Sequence, residues 1–360
     1  LRTFVQRWNT ATRKMVLTGV LPPDSLESRF VEFLASDASV IVFTETTSNL
    51  HHPDFFPGID KIIAPVENDI LQLKALQPIL LLSFGGMVIS KKIKAFLRNY
   101  RPDAHFHIDE KKAYDTYFCL THHFKTSPNR FFERVIPELN PVKSPYRERW
   151  LGVQQKRRKA HEAYIGSIPF SDLKVYDYLF NAIPDGQQLQ SANSATIRYT
   201  QLFDLNKTLS VFCNRGTSGI DGSTSTAIGA SLAVTQPTTF ITGDLSFFYD
   251  SNALWNAYIR PDFRIILINN GGGGIFRIIA PNKDTPDFDT YFETTHNLTA
   301  EQRCTMHGFS YRQAHDAASL EKALSDFYTE SDRPALLEIF TPRTLNDTVL
   351  RKYFEFLNND

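Results

Sequence analysis

The stretch ITGDLSFFYD, Ile241 to Asp250, is an apolar run that stops on an acid. A second stretch, IILINNGGGG from Ile265 to Gly274, stops on two asparagines and four glycines. Short apolar runs closed by turn residues read as buried strands. In an open parallel sheet, ligands gather outside the carboxyl ends of the strands. Asp244 and the Asn269–Asn270 pair both stand at such ends, and one helix between them makes a βαβ unit that can bring them together. Their side-chain oxygens, with a carbonyl freed in the glycine loop, are hard donors. They suit Mg2+, which keeps waters and takes phosphate oxygens as its remaining partners. Glycine lets the backbone approach a diphosphate, and the following helix start adds a favourable dipole. The plainer reading makes Asp244 a helix cap and the glycines a loop.

The same alternation runs outward through the chain. KMVLTGVLP (14–22), SVIVFTET, PILLLSFGG (78–86) and DAHFHIDE read as strands, with helical spacing in SLESRFVEFLA and SKKIKAFLRNY. This predicts a doubly wound parallel sheet over residues 16–140. Residues 141–160 are polar, basic and proline-bearing, and read as a connection that turns helical at its end. Over 161–360, FSDLKVYDYLFNAIP, SNALWNAYI and SLEKALSDFYTE read as helices. LSVFCNRG, TTFITGD, FRIILINN and PALLEIFTP read as strands, and QQLQSANSATIRYTQLF as a strand end entering a helix. The expected fold class is therefore α/β, with two doubly wound parallel-sheet domains.

Lys+Arg and Asp+Glu balance at 39 each, so bulk charge draws the chain to neither nucleic acid nor an anionic membrane. No apolar run is long enough to span a bilayer. LRTFVQRWNTATRKM has no signal-peptide core. Cys119, Cys213 and Cys304 are far apart and lack metal-like spacing, which suits a reduced, cytoplasmic setting. His105 and His107 share one face of a strand, a geometry open to metal binding, but without a nearby cysteine it reads as structural.

GDLS (243–246) followed by NN (269–270) and Gly272 resembles the magnesium–diphosphate motif of thiamine-diphosphate-dependent enzymes. Leu245 stands where most of that superfamily has glycine. Together with NRGTSGIDGSTSTAIGAS (214–231), GDLSFFYDSNAL (243–254), NNGGGGIF (269–276) and ANSATIR (192–198), it is similar to the 2-succinyl-5-enolpyruvyl-6-hydroxy-3-cyclohexene-1-carboxylate synthases of menaquinone biosynthesis. FGGMVISKKIKAFL fits the central domain of that family, so the resemblance covers nearly the whole chain.

The resemblance implies thiamine diphosphate and Mg2+ or Mn2+ as cofactors. Asp244, Asn270 rather than Asn269, and the carbonyl of Gly272 would be the metal ligands. Ser194, Ser218, Gly219, Gly243, Leu245, Ser246, Gly273 and Ile275 would line the cofactor with them. Ile220 would be the aliphatic wedge that keeps the cofactor bent, with its 4′-imino group beside the thiazolium C2 proton; the alternative for Ile220 is core packing. Such a family decarboxylates 2-oxoglutarate and adds the succinyl-semialdehyde unit to isochorismate. Both substrates carry carboxylates, which guanidinium groups match. Arg198, Arg215, Lys91, Ser194, Ile275 and Phe276 would contact them, although Lys91 also reads as part of a solvated helix face beside Lys92 and Lys94.

No stretch resembles the family's pyrimidine-binding domain, whose glutamate activates the cofactor. Residues 1–15 read as the linker that follows it, no catalytic residue is assigned here, and the piece is expected to be inactive alone. A homodimer or homotetramer is expected of the full-length enzyme. Acetolactate-synthase-like carboligases, or a fragment serving only for assembly, are the competing readings. A dinucleotide-binding dehydrogenase lacks support, because SFGGMVIS supplies no G-x-G-x-x-G.

Overall fold

The computed structural model describes residues 1–279, 285 and 287–358. The end of the span read as 161–360 thus lies outside the described residues. The chain divides into two compact units, Leu1–Glu162 with Phe354–Asp360, and Ala163–Tyr353. Each holds a six-stranded, all-parallel sheet with helices between its strands, the α/β architecture expected from sequence.

The first unit contains β1 (Lys14–Thr18), β2 (Val40–Thr44), β3 (Phe56–Pro57), β4 (Leu80–Phe84), β5 (Ala104–Ile108) and β6 (Leu120–Phe124), in the order β3-β2-β1-β4-β5-β6. Every residue of β1 is buried. Met15 and Leu17 enter one core and Val16 the other, because successive side chains point to opposite faces. A strand covered on both faces needs a continuous apolar run rather than an alternating one. Residues 2–10 form a helix whose Phe4 and Trp8 are fully buried beneath the sheet. Trp150, within the stretch 141–160, is a buried residue of the helix Tyr146–Ser167.

The second unit contains β7 (Gln188–Ser191), β8 (Ser210–Cys213), β9 (Thr238–Gly243), β10 (Arg264–Asn269), β11 (Ser310–Ala314) and β12 (Ala335–Phe340), in the order β11-β12-β10-β9-β7-β8. The register places Ser191 beside both Cys213 and Ile241, and Gly243 beside Ile268. Four adjacent strands therefore release their loops at the same edge.

One expected helix needs correction. SNALWNAYI is not a continuous helix: a helix at Asp244–Tyr249 precedes it, and Ser251–Trp255 is a 3-10 turn. The Asp250 carboxylate accepts the Ser225 N–H (2.7 Å) and hydroxyl (2.5 Å), and Asn256 bonds the Ala253 carbonyl, drawing the backbone out of helix on both sides. Strands β6 and β11 escaped the pattern because both lie at sheet edges and are only partly buried.

Candidate functional site

The loops leaving β8, β7, β9 and β10 carry almost all of the residues singled out from sequence. Gly243 ends β9, and Asp244 is the first residue of the helix that follows. Its buried carboxylate accepts the Leu245 N–H at 2.7 Å through Oδ1 and the Gly272 N–H at 2.9 Å through Oδ2. Asp244 and the glycine loop are thus in direct contact. Gly272 is confined to glycine: its φ is +154°, and a Cβ would sit 2.7 Å from the Glu293 carbonyl. The neighbouring Gly273 N–H donates to that same carbonyl. Glu293 is fully buried and held by Arg277 and Arg343, which anchors the wall against which the loop rests.

The two asparagines divide their work. Asn269 spends its side chain on the fold, donating to Glu338 Oε1 (2.7 Å) and the Leu298 carbonyl (2.9 Å) and accepting the Gly271 N–H. Asn270 donates its amide to Asp172 Oδ2 at 3.0 Å, and its Oδ1 is buried with no hydrogen-bond partner among the described residues. A buried acceptor left open is costly unless something fills it.

Loops 192–194 and 214–222 are laced together by Asn193. Its amide donates to the carbonyls of Asn214 and Gly219, and its Oδ1 accepts Arg215 Nη1 at 2.8 Å. Arg215 Nε is buried without a hydrogen-bond partner among the described residues. Arg198 Nη1 donates to the Ser194 carbonyl at 2.7 Å. Ser194 and Ser218 both hold positive φ, +66° and +69°, which is uncommon outside glycine and asparagine. Gly219 lies in the same loop, and the Ser246 hydroxyl donates to the Ile220 carbonyl at 2.6 Å, tying that loop to the helix of Asp244. Ile220 and Leu245 are half-buried, outside the core clusters. Ile275 is buried and Phe276 half-buried at the start of the helix Ile275–Ile279. Lys91 belongs to the first unit, exposed at the start of the helix Lys91–Asn99.

Three residues were missed from sequence. Asp172 begins the helix Asp172–Ala182, where a first-turn acid looks like an ordinary dipole partner. Burial, followed by the nearby charge of Asp244, raises its pKa to about 6 against the hydrogen bonds from Thr341 and Asn270. Thr341 follows β12 and donates its hydroxyl to Asp172 Oδ1. His296 accepts the Leu298 N–H at Nδ1, which leaves the proton on Nε2, 3.3 Å from Asp244 Oδ2. No local motif marks any of them, because their partners lie far away in sequence. A cavity of about 620 Å3 opens beside this group, lined by Asn269, Asn270, Gly271, His296, Thr341 and Arg343 among others.

The side chains of Asp244 and Asn270 and the Gly272 carbonyl, which accepts the Gly274 N–H at 3.0 Å, offer oxygen donors only, a chemistry that suits Mg2+ or Mn2+ better than zinc. Among the described residues no three His, Cys, Asp or Glu side chains are grouped to hold a metal. The open Oδ1 of Asn270 fits such an ion. His105 and His107, by contrast, both engage the Ser83 hydroxyl, at 2.7 and 2.8 Å. Among the described residues no helix is long and apolar enough to cross a membrane.

The family described as thiamine pyrophosphate enzyme, C-terminal TPP binding domain, matches residues 193–339. Over the full chain, the sequence is 53% identical to a 2-succinyl-5-enolpyruvyl-6-hydroxy-3-cyclohexene-1-carboxylate synthase from Christiangramia forsetii, covering 100% of this chain and 63% of that protein. It is 48% identical to the synthase of the same name from Flavobacterium psychrophilum, covering 99% and 64%. For the Porphyromonas gingivalis protein of that name the figures are 36% identity, 99% and 63%. The chain thus spans a little under two thirds of the length of the curated relatives it matches.

Proposed function

We propose that this chain belongs to the 2-succinyl-5-enolpyruvyl-6-hydroxy-3-cyclohexene-1-carboxylate synthase family of thiamine-diphosphate enzymes, which it resembles over its whole length, and that its second unit holds the diphosphate of the cofactor through one divalent cation. Asp244, Asn270 and the Gly272 carbonyl are its ligands. The observation that carries the reading is the buried, unpartnered Oδ1 of Asn270 in the same loop whose Gly272 N–H binds Asp244.

In the whole protein, the proposed reaction is decarboxylation of 2-oxoglutarate and addition of the succinyl-semialdehyde unit to isochorismate. Thiamine diphosphate, when bound, supplies the carbon nucleophile and electron sink that loss of CO2 from a 2-oxo acid requires. The chain's residues bind and orient. The Ser246 hydroxyl fixes the Ile220 carbonyl, so the half-buried Ile220 side chain can act as the wedge under the cofactor. Ser194, Ser218, Gly219, Leu245 and Gly273 give the remaining contacts around it. Arg198 and Arg215 present guanidinium groups for substrate carboxylates, and the unpaired Nε of Arg215 favours that role. Ile275 and Phe276 form an apolar wall that keeps water from the reacting carbon. Lys91 is proposed as a further ammonium for substrate. The same proposal includes a homodimer or homotetramer in the cytoplasm, a setting that suits three cysteines outside any disulfide.

Calorimetric titration of the chain with thiamine diphosphate, with and without Mg2+, tests the reading. Binding should depend on Mg2+ and fall by at least about a hundredfold, about 2.7 kcal/mol, in Asp244→Ala. Equal heats from both proteins would remove the cation from the site. In the full-length protein, turnover of pyruvate in preference to 2-oxoglutarate would move the chain to another carboligase class.

A further inference from the structure

We infer that Asp172 is the positioning residue that sets which face of the Asn270 amide meets the cation. The inference rests on the cation reading above and adds a residue that reading does not contain. An ionised carboxylate only accepts hydrogen bonds. With Asp172 Oδ2 at 3.0 Å from Asn270 Nδ2, the NH2 group must face Asp172, and Oδ1 must face the other way. A terminal amide torsion is broad and nearly two-fold, so without this partner the NH2 and the oxygen could exchange places. The flipped amide would turn donor hydrogens toward a cation, and the site would lose one ligand and gain a repulsion.

Asp172 is itself held on every side, which makes it able to impose that orientation. Its Oδ1 accepts the Thr341 hydroxyl at 2.5 Å, and its backbone N–H donates to Asn346 Oδ1 at 2.8 Å. Thr341 is fixed in turn, because its N–H donates to the Asn269 carbonyl at 3.1 Å. A ring results: Asn269 docks Thr341, Thr341 holds Asp172, and Asp172 holds Asn270. The ring closes on the residue next to where it began, so the two asparagines are set by one network. Asp172 is 3% exposed, and among the described residues no lysine or arginine side chain pairs with it. Both Asp172 oxygens are thus taken, by Thr341 and by the Asn270 amide, and the acceptor left over is the Asn270 Oδ1 on the side away from Asp172.

The test uses the 360-residue chain saturated with thiamine diphosphate, with Mn2+ as the probe and free Mn2+ read by electron paramagnetic resonance. Removing a partner that orients a metal ligand commonly weakens the ion by tenfold to a hundredfold, and Asp172→Ala should do so here, about that much. The exchange Asp172→Asn with Asn270→Asp keeps the net charge. It lets the new amide at position 172 donate to one oxygen of the new carboxylate while the other meets the ion, and should recover at least about tenfold over Asp172→Ala. A merely structural role would lower cofactor-free melting temperature in both variants without restoring Mn2+ binding in the exchange. If Asp172→Ala fails to fold, the exchange against Asn270→Asp alone carries the test, because the single variant sets two carboxylates face to face. Unchanged Mn2+ affinity in Asp172→Ala, or an exchange no better than the single variants, overturns the inference and leaves the cation site standing. An unaltered chain that binds no Mn2+ overturns both.

Discussion

Two apolar strands in this chain run into an acid, and the two acids have opposite fates. β2 runs into Glu45, whose carboxylate is consumed by the N–H groups of Ile89 and Ser90 at 2.7–2.8 Å while its own N–H donates to the Ser48 hydroxyl. Here the acid serves as the internal acceptor for a helix start. β9 runs into Asp244, whose network continues through the glycine loop to an amide oxygen without a partner among the described residues. Both acids are buried and both stand at the carboxyl edge of a parallel sheet. Both carboxylates are closed in by N–H groups; the difference is that the second unit's glycine loop also carries an amide oxygen, that of Asn270, without a partner among the described residues. On the proposed reading, an acid at a strand end becomes a ligand position where the surrounding chain leaves an acceptor over.

The sharpest way to break this comparison uses adjacent residues of one type. Asn270→Ala should reduce cation-dependent thiamine diphosphate binding by at least about a hundredfold while costing the fold about 1 kcal/mol, the donor lost by Asp172. Asn269→Ala should do the reverse. It strips a donor from the fully buried Glu338 and from the Leu298 carbonyl, so it should cost about 2–3 kcal/mol in denaturant unfolding and leave any remaining cation affinity within about threefold. Equal effects on binding from the two variants would show that the open oxygen carries no weight.

Much of this was legible because strand, turn and motif chemistry are local. The apolar runs gave both sheets and, at their ends, Asp244 and the asparagine pair; the family resemblance gave Ser194, Arg198, Arg215 and Ile220, and the fold puts all of these on loops and helix starts after β7, β8, β9 and β10. What escaped is what depends on distance. Asp172 meets Asn270 across 98 positions and Thr341 across 169. His296 reaches Asp244 from a polar stretch with no periodicity. SNALWNAYI reads as a helix because its apolar spacing is helical, and the bonds of Ser225 to Asp250 and of Asn256 to the Ala253 carbonyl decide otherwise. Edge strands β6 and β11 carry too few buried residues to announce themselves.

A smaller effect separates Glu45 from its surroundings by pH. Burial raises its pKa to about 7 from an ordinary 4.5, with Asp60 adding in the same direction. A carboxyl with a raised folded pKa contributes stability that is complete below about pH 4.5 and is lost as pH rises through about 7, by up to about 3 kcal/mol. His105 runs the other way. Burial and then His107 lower its pKa to about 4, so its contribution is complete above about pH 6.5 and is lost on acidification through 4, again by up to about 3 kcal/mol. Between pH 4.5 and 6.5 the two slopes oppose each other, and the first unit should look nearly indifferent to pH. Glu45→Gln should expose the histidine slope, with stability rising with pH; His105→Gln should expose the glutamate slope, with stability falling. Denaturant midpoints measured across that window decide it, and parallel curves for the two variants would remove either buried charge from the account. Neither variant should alter cation binding.

The smallest expected effect compares two residues forced to positive φ. In the first unit Asn49 sits at φ +46°, ψ +36°, the left-handed helical region that asparagine tolerates, and its amide donates to the Leu21 carbonyl at 3.0 Å. In the second unit Ser194 sits at φ +66°, ψ −130°, a region that suits glycine, and its hydroxyl makes no cap bond to the helix Ala195–Thr200. Strain of this kind costs about 1–3 kcal/mol, against roughly 0.5–1 kcal/mol for the freedom glycine adds to the unfolded chain. Ser194→Gly should therefore stabilise the second unit by about 1 kcal/mol in equilibrium unfolding, while Asn49→Gly gains nothing and loses a hydrogen bond. If serine is kept at 194 for the cofactor and substrate, the same Ser194→Gly protein should bind thiamine diphosphate more weakly as it becomes more stable. A variant that is less stable than the parent would mean that the hydroxyl serves the fold, and position 194 would then belong with Asn49 and Glu45 among the groups the chain uses for itself.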